Sequence, residues 1–120
     1  MSSLFDDFNE GTQTGFDIQN IFDRKSRIKR AHTLATEHRY QEAIDLLEHV
    51  NLSSYDTSVV NILGYLVKAI CHAELEQKSQ AKSCLNIILN MSRMSLNPFY
   101  HMTLSRAKEE AKKIINEYNI

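Results

Sequence analysis

The stretch Leu66-Val67-Lys68-Ala69-Ile70-Cys71-His72-Ala73 decides the fold, because its pattern occurs three times in the chain. The same order of an aliphatic residue, a cation and two alanines begins at Ile28 and again at Leu104, so neighbouring copies lie 38 residues apart. A period between about 20 and 50 residues is typical of proteins that stack one supersecondary unit on the next. The pattern therefore predicts a helical-repeat architecture, and such arrays commonly serve as binding surfaces.

The alanines of the whole chain follow the same period. Two alanines four residues apart place only small side chains on one side of a helix, so a neighbouring helix can approach it closely. Helix propensity explains alanine in helices but does not explain alanines in phase. The pattern predicts an all-α fold of two helical hairpins and a C-terminal capping helix. The eight alanines are Ala31, Ala35, Ala43, Ala69, Ala73, Ala81, Ala107 and Ala111.

Apolar spacing and capping residues predict where the helices lie. The third helix is apolar on most sides and is expected to be the buried centre. Asp56, Thr57 or Ser58 can cap it, and Asn97-Pro98 is typical of an N-cap followed by proline in the first turn. The predicted helices span about 16–38, 40–50, 57–75, 78–93 and 98–118.

Charge is segregated at the start of the chain, although the formal net charge is only −1. Residues 1–23 contain five acids and no base, and a basic cluster from Arg24 to Arg30 follows. We expect residues 1–15 to be a flexible acidic arm and residues 16–120 to be one domain. With Phe5, Phe8 and Phe16 among its acids, the arm has three interpretations: it masks a groove of this protein, docks on another protein, or is disordered.

The repeat resembles the tetratricopeptide repeat (TPR) family, with a period of 38 residues where that family has 34. The segment Tyr40-Gln41-Glu42-Ala43-Ile44 is similar to the family's turn into its second helix. Large residues follow the alanine of each second helix, as in the family: Leu47 and Val50, then Leu85 and Ile88.

The resemblance implies a right-handed helical-hairpin repeat whose first helices line a groove for a peptide or helix of another protein. The family's carboxylate clamp of Lys and Asn is absent, because Ile28, His32, Leu66 and Ile70 stand at its positions. The apolar part of such a groove needs a cover: a partner, a second copy of the chain, its own arm, or the long first and last helices. The implied groove residues are Lys25, Ile28, Lys29, His32, Thr36, Leu63, Leu66, Val67, Ile70 and Glu74.

No constellation in the chain favours catalysis. The five histidines have no metal-ligand spacing, there is no Cys-x-x-Cys pair, and three glycines form no phosphate loop. Cys71 and Cys84 are interpreted as free buried thiols, although a pair across a hairpin is the alternative. We therefore predict no enzyme activity, no metal and no cofactor.

The leading functional hypothesis is a small protein-binding module, either an adaptor or a chaperone-like protein. An immunity-type inhibitor that sequesters a toxin is compatible with the same features. The alternative from another class is a nucleic-acid-associated regulator that uses Arg24–Arg30, which the near-zero net charge disfavours. Two cysteines, no secretion signal at Met1–Asp7 and no long apolar run predict a cytoplasmic protein that does not enter membranes.

Overall fold

A computed structural model describes residues 18–53, 58–91 and 97–120, with side chains from Arg24 onward. These ranges contain helices and connecting turns but no strand. The predicted all-helical fold class is therefore confirmed, and the arm predicted for residues 1–15 lies outside the described residues. The helices are α1 (Ile18–Thr36), α2 (Tyr40–Leu47), α3 (Val59–Glu74), α4 (Lys78–Leu89) and α5 (Pro98–Tyr118).

Two helices begin at the capping residues that the sequence indicates. The Ser58 hydroxyl accepts a hydrogen bond from the Asn61 amide at 3.2 Å at the start of α3. The Asn97 side chain accepts one from the Phe99 amide at 2.9 Å, with Pro98 in the first turn of α5. Each cap satisfies one backbone donor that the first helical turn leaves unpaired.

The turns that follow α1 and α3 have the same backbone conformation. His38 and Glu76 occupy equivalent positions 38 residues apart, and both have left-handed φ angles, 62° and 60°. In each turn one amide bonds five residues back and its predecessor three residues back, which is a Schellman C-cap. The bonds join Arg39 N to Leu34 O (2.9 Å), His38 N to Ala35 O (3.0 Å), Gln77 N to His72 O (2.8 Å) and Glu76 N to Ala73 O (3.1 Å).

The alanines lie where helices meet. Helix α3 packs against all four other helices, α1 also packs against α2, and α5 against α4. Close approach of these helices requires small residues at the contacts, and six of the eight alanines are completely buried, so their expected packing role is confirmed. These six are Ala31, Ala43, Ala69, Ala81, Ala107 and Ala111.

Helix α3 has two apolar sides, which we name its rear and front stripes. The rear stripe packs in one core cluster with α1 and α2, and the front stripe packs in a second cluster with α4 and α5. Both stripes are buried, so α3 is the predicted centre of the molecule. The rear stripe consists of Val59, Leu63, Val67 and Cys71, and the front stripe of Ile62, Leu66, Ala69 and Ala73.

Helix α5 is turned relative to α1 in its contact with α3. The residues of α1 that correspond to the front stripe of α3 are Ile28 and Ala31. They pack in the same cluster as the rear stripe of α3. On α5 the positions equivalent to the front stripe also pack in the cluster that holds the front stripe of α3. The α1–α3 contact is therefore front to rear, whereas the α3–α5 contact is front to front. The front positions of α5 are Tyr100, Leu104, Ala107 and Ala111.

This turn leaves the rear positions of α5 outside the core, and they are polar. Ser105 and Glu109 are exposed, and Asn97 and His101 are half-buried. The rear side of α5 is therefore polar and partly open to solvent, in contrast to the apolar, buried rear stripe of α3. No helix in the described ranges is both long and apolar enough to cross a membrane.

Candidate protein-binding surface

Four of the ten groove residues implied by the TPR resemblance lie in the core. Ile28, Leu63 and Leu66 are completely buried, and Val67 is 1% exposed. Their side chains fill the two clusters in which α3 meets α1, α4 and α5. The expectation that they line an open groove is therefore wrong for this structure, since no partner can contact them while the helices stay packed. The neighbouring helices shield these apolar side chains from water.

The other six implied residues reach the surface on α1 and α3. Lys25, Lys29, His32 and Thr36 recur every three or four residues, so they share one side of α1, which we name the α1 stripe. Lys29 and Thr36 are exposed, and Lys25 and His32 are half-buried. Over eleven residues the stripe is about 16 Å long at 1.5 Å per residue. The candidate surface is therefore a polar strip beside α3 and not an apolar groove.

Ile70 and Glu74 are the surface residues of this set on α3. Ile70 is half-buried, and Glu74 is exposed one helical turn further along. Thr36 and Glu74 are equivalent positions of the repeat, and each is the last residue of its helix. Ile70 packs partly against the cluster that includes α4 and α5, and Glu74 places a negative charge on the surface of α3.

The basic cluster Arg24–Arg30 divides into structural and surface residues. Arg27 donates from Nη1 to the carbonyl oxygen of His49 at 2.9 Å, just beyond the end of α2. Such carbonyls lack a helical partner, and a guanidinium there also suits the negative end of the helix dipole. Arg24 donates from Nη2 to Asn61 Oδ1 at 3.5 Å. Both arginines therefore tie α1 to neighbouring parts of the fold.

Three other cations of this cluster face solvent. Lys29 and Arg30 are exposed and Lys25 is half-buried. Within the ranges that the structure describes, the ion pairs that form involve Arg39 with Glu37 and with Glu42, and none involves these three cations. The surface of α1 therefore has positive charge that described carboxylates do not neutralise.

Asn61 has a structural role that the sequence reasoning missed. Its side chain is completely buried, accepts from Ser53 N at 3.0 Å and donates to Ser53 O at 2.6 Å. This two-way pairing fixes the connector between α2 and α3. A Cβ atom at Gly64 would lie 2.7 Å from Leu52 Cδ2, so the connector also packs closely on α3. The available signal was a single amide inside an otherwise apolar helix.

Glu74 lies in a group of polar side chains from three elements. The Tyr118 hydroxyl of α5 donates a hydrogen bond to Glu74 Oε1. This bond, more than burial, raises the pKa of Tyr118. Burial first, and then the charge of Glu74, raises the pKa of Tyr40 at the start of α2. Tyr40 OH in turn lies 2.7 Å from His38 Nδ1. The bond from Tyr118 thus joins α5 to the end of α3, a contact that the helix patterns do not predict.

His32 contributes little charge to the α1 stripe at neutral pH. Its side chain is half-buried, and this burial lowers its pKa below the ordinary value of 6.5. Burial disfavours the charged imidazolium, so most of His32 is neutral at pH 7. The positive charge of the stripe at that pH therefore comes from Lys25 and Lys29.

The two cysteines are free and buried, as expected. Cys71 belongs to the cluster that includes α1 and α2, whereas Cys84 belongs to the cluster that includes α5. Burial, assisted by the charge of Glu74, raises the pKa of Cys71 to about 12, and burial also raises that of Cys84. Thiols with such raised pKa values are poor nucleophiles. Among the described residues, no three His, Cys, Asp or Glu side chains meet as metal ligands would.

Comparisons of this chain with protein-family models, with curated proteins and with solved structures find no match.

Proposed function

We propose that this chain is a TPR-like protein-binding module that binds an acidic segment of a partner protein along the α1 stripe. Three features of the fold support the repeat assignment. The turns after α1 and α3 share one Schellman geometry, the in-phase alanines lie at helix contacts, and each hairpin packs against the next first helix. These are the relations that stacked helical hairpins require.

The chemistry of the α1 stripe carries the functional part of the proposal. Lys25 and Lys29 stand at the positions where α3 has Leu63 and Val67. An outer helix needs only polar residues there, yet here two cations occupy these positions, and neither forms an ion pair with a described carboxylate. A positive strip of this kind attracts acidic ligands and speeds their association.

The binding mode follows from what the surface offers. Ile70 is a half-buried apolar side chain on α3, the helix that packs against α1. An extended or helical segment of a partner could place an apolar side chain on Ile70 and acids over Lys25 and Lys29. This mode suits an adaptor or a chaperone-like protein, and also an immunity-type inhibitor that sequesters a toxin by the same surface.

Affinity capture with matched charge variants tests the proposal. The tagged chain, the K25E/K29E variant and the K82E/K112E variant are each incubated with extract from the source cells. Both variants change the net charge equally, and Lys82 and Lys112 are exposed lysines on α4 and α5. We expect a partner that the first chain and K82E/K112E retain but K25E/K29E loses. Identical captured proteins from all three chains would refute the proposal.

The nucleic-acid alternative is weakened by the roles of two arginines. Arg24 and Arg27 bond to Asn61 and His49, so the cluster presents fewer cations than its sequence implies. Phosphate binding depends on clustered cations and weakens steeply with added salt. Nuclease treatment of the extract separates the two hypotheses, because a protein partner stays bound after it.

A further inference from the structure

The candidate surface has opposite charges at its two ends. Lys25 and Lys29 lie in the N-terminal half of the α1 stripe, and Glu74 is the last residue of α3, which packs against α1. A Cβ atom at Gly64 would lie 3.1 Å from Ile28 Cδ1. Gly64 of α3 and Ile28 of α1 therefore lie at about the same height along the two helices. At 1.5 Å per residue, Glu74 is then about 10–20 Å from the two lysines along the helix axis.

The Glu74 carboxylate is positioned and still able to bind a ligand. Tyr118 holds one of its oxygens, whereas a carboxylate has about four acceptor positions in total. Glu74 is exposed, and no cation of the described residues is paired with it. An exposed carboxylate with unused acceptor positions binds ammonium and guanidinium groups through charge-assisted hydrogen bonds.

We infer that the partner segment bears acidic residues at one end and a lysine or arginine about five residues away, whose cationic group docks at Glu74. The inference rests on the proposed function, because it assigns the other end of the same surface. The spacing follows from the axial distance, since an extended peptide advances about 3.3 Å per residue. Tyr118 acts as a positioning residue, because it orients the carboxylate through the hydroxyl–carboxylate bond.

Synthetic peptides test the spacing directly on the full chain. Each fluorescein-labelled peptide carries an Asp-Asp pair and one lysine, separated by two, five or eight residues and made in both orders. A control peptide replaces the lysine with norleucine. We expect the five-residue peptide in one order to bind about fivefold more tightly than its norleucine control by fluorescence anisotropy, the usual size for a partly exposed ion pair.

Three variants distinguish docking at Glu74 from general charge attraction. E74Q should remove the preference for lysine over norleucine, and Y118F should reduce it while leaving the ring in place. E76Q makes the same charge change at an exposed residue two positions away and should preserve the preference. Thermal unfolding of each variant verifies that it folds.

The outcomes separate the inference from the proposed function. If the Asp-Asp peptides bind equally with lysine and norleucine, and K25E/K29E abolishes this binding, the inference fails and the proposed function stands. If E76Q removes the lysine preference as fully as E74Q does, docking at Glu74 is also refuted. If no Asp-Asp peptide binds and capture is unaffected by K25E/K29E, both proposals fail.

Discussion

Helices α1, α3 and α5 occupy the same place in the repeat. They differ in the polarity and burial of the residues at their rear positions. On α3 the stripe is apolar and buried, with Val67 near its middle. The equivalent residues, Lys29 on α1 and Ser105 on α5, are polar and exposed. The repeat therefore conserves helix positions and small contact residues, while the composition of each stripe depends on whether another unit covers it. Stacked repeats in general need such polar outer faces at both ends.

The two ends of the array differ in how they achieve a polar outer face. Helix α1 meets α3 with its front positions and leaves Lys25 and Lys29 outside. Helix α5 meets α3 with its own front positions, which requires the turn about its axis. Lys108 reflects the same turn, since its Nζ reaches the Met91 carbonyl at the end of α4 at 3.5 Å. The α1 side thus presents Lys25 and Lys29, whereas the front positions of α5 are buried in the core.

Lysine substitution at the equivalent positions on α3 and α5 should show the largest difference. V67K loses a buried side chain and places an unpaired charge in the core, so we expect a loss of about 4 kcal/mol or more in the free energy of unfolding. S105K changes an exposed residue and should stay within about 0.5 kcal/mol. Urea denaturation followed by circular dichroism measures both. Similar midpoints for the two variants would contradict the assignment of α5 as the outer helix.

Substitution of the buried Asn61 tests whether its two bonds to Ser53 stabilise the fold. Asn61→Ala leaves the backbone donor and acceptor of Ser53 without their side-chain partner, and we expect a loss of about 2–3 kcal/mol. Asn86→Ala, at an exposed position of α4, serves as the control and should change stability little. Urea midpoints give both values. An equal effect at the two positions would show that the bonds to Ser53 do not hold the connector.

The sequence predicts much of this architecture, because local physics determines it. Helical periodicity, the caps at Ser58 and Asn97, and the phase of the alanines depend on neighbouring residues only. The sequence predicts that the third helix is buried, but it leaves open which element covers Leu63 and Leu66. Periodicity shows that a helix face is apolar but does not show which helix covers it.

The site was predicted only in part for the same reason. Lys25 and Lys29 were placed at the surface because a charged stripe on a helix is usually solvated. Arg27 was grouped with them, since its bond to the His49 carbonyl depends on how α1 crosses the end of α2. The hydrogen bond from Tyr118 to Glu74 joins α5 to α3, and no single-helix pattern contains that information.

The left-handed turn residue of the second hairpin offers a smaller effect of opposite sign. Glu76 has a left-handed conformation that costs a non-glycine residue about 1–2 kcal/mol. Glu76→Gly removes this cost but adds the entropy cost of glycine, so we expect the free energy of unfolding to rise by about 0.5–1 kcal/mol. Glu109→Gly, on the exposed face of α5, should instead lose about 1 kcal/mol. Thermal and urea unfolding measure both signs. A loss at position 76 would contradict the Schellman turn there.

Acidification should produce the smallest change, and it should act on stability and binding in opposite directions. Burial lowers the pKa of His32 in the folded state, so the unfolded chain takes up its proton first as pH falls below about 6.5. Stability is therefore complete above that pH and declines below it, by less in His32→Gln than in the original chain. Urea midpoints at pH 7.5 and 5.5 measure this difference, and equal declines would contradict it.

Protonated His32 also adds positive charge between Lys29 and Thr36, so the Asp-Asp peptides should bind more tightly at pH 5.5 to the original chain but not to His32→Gln. A decline in binding parallel to stability would show that His32 supports the fold without facing the ligand.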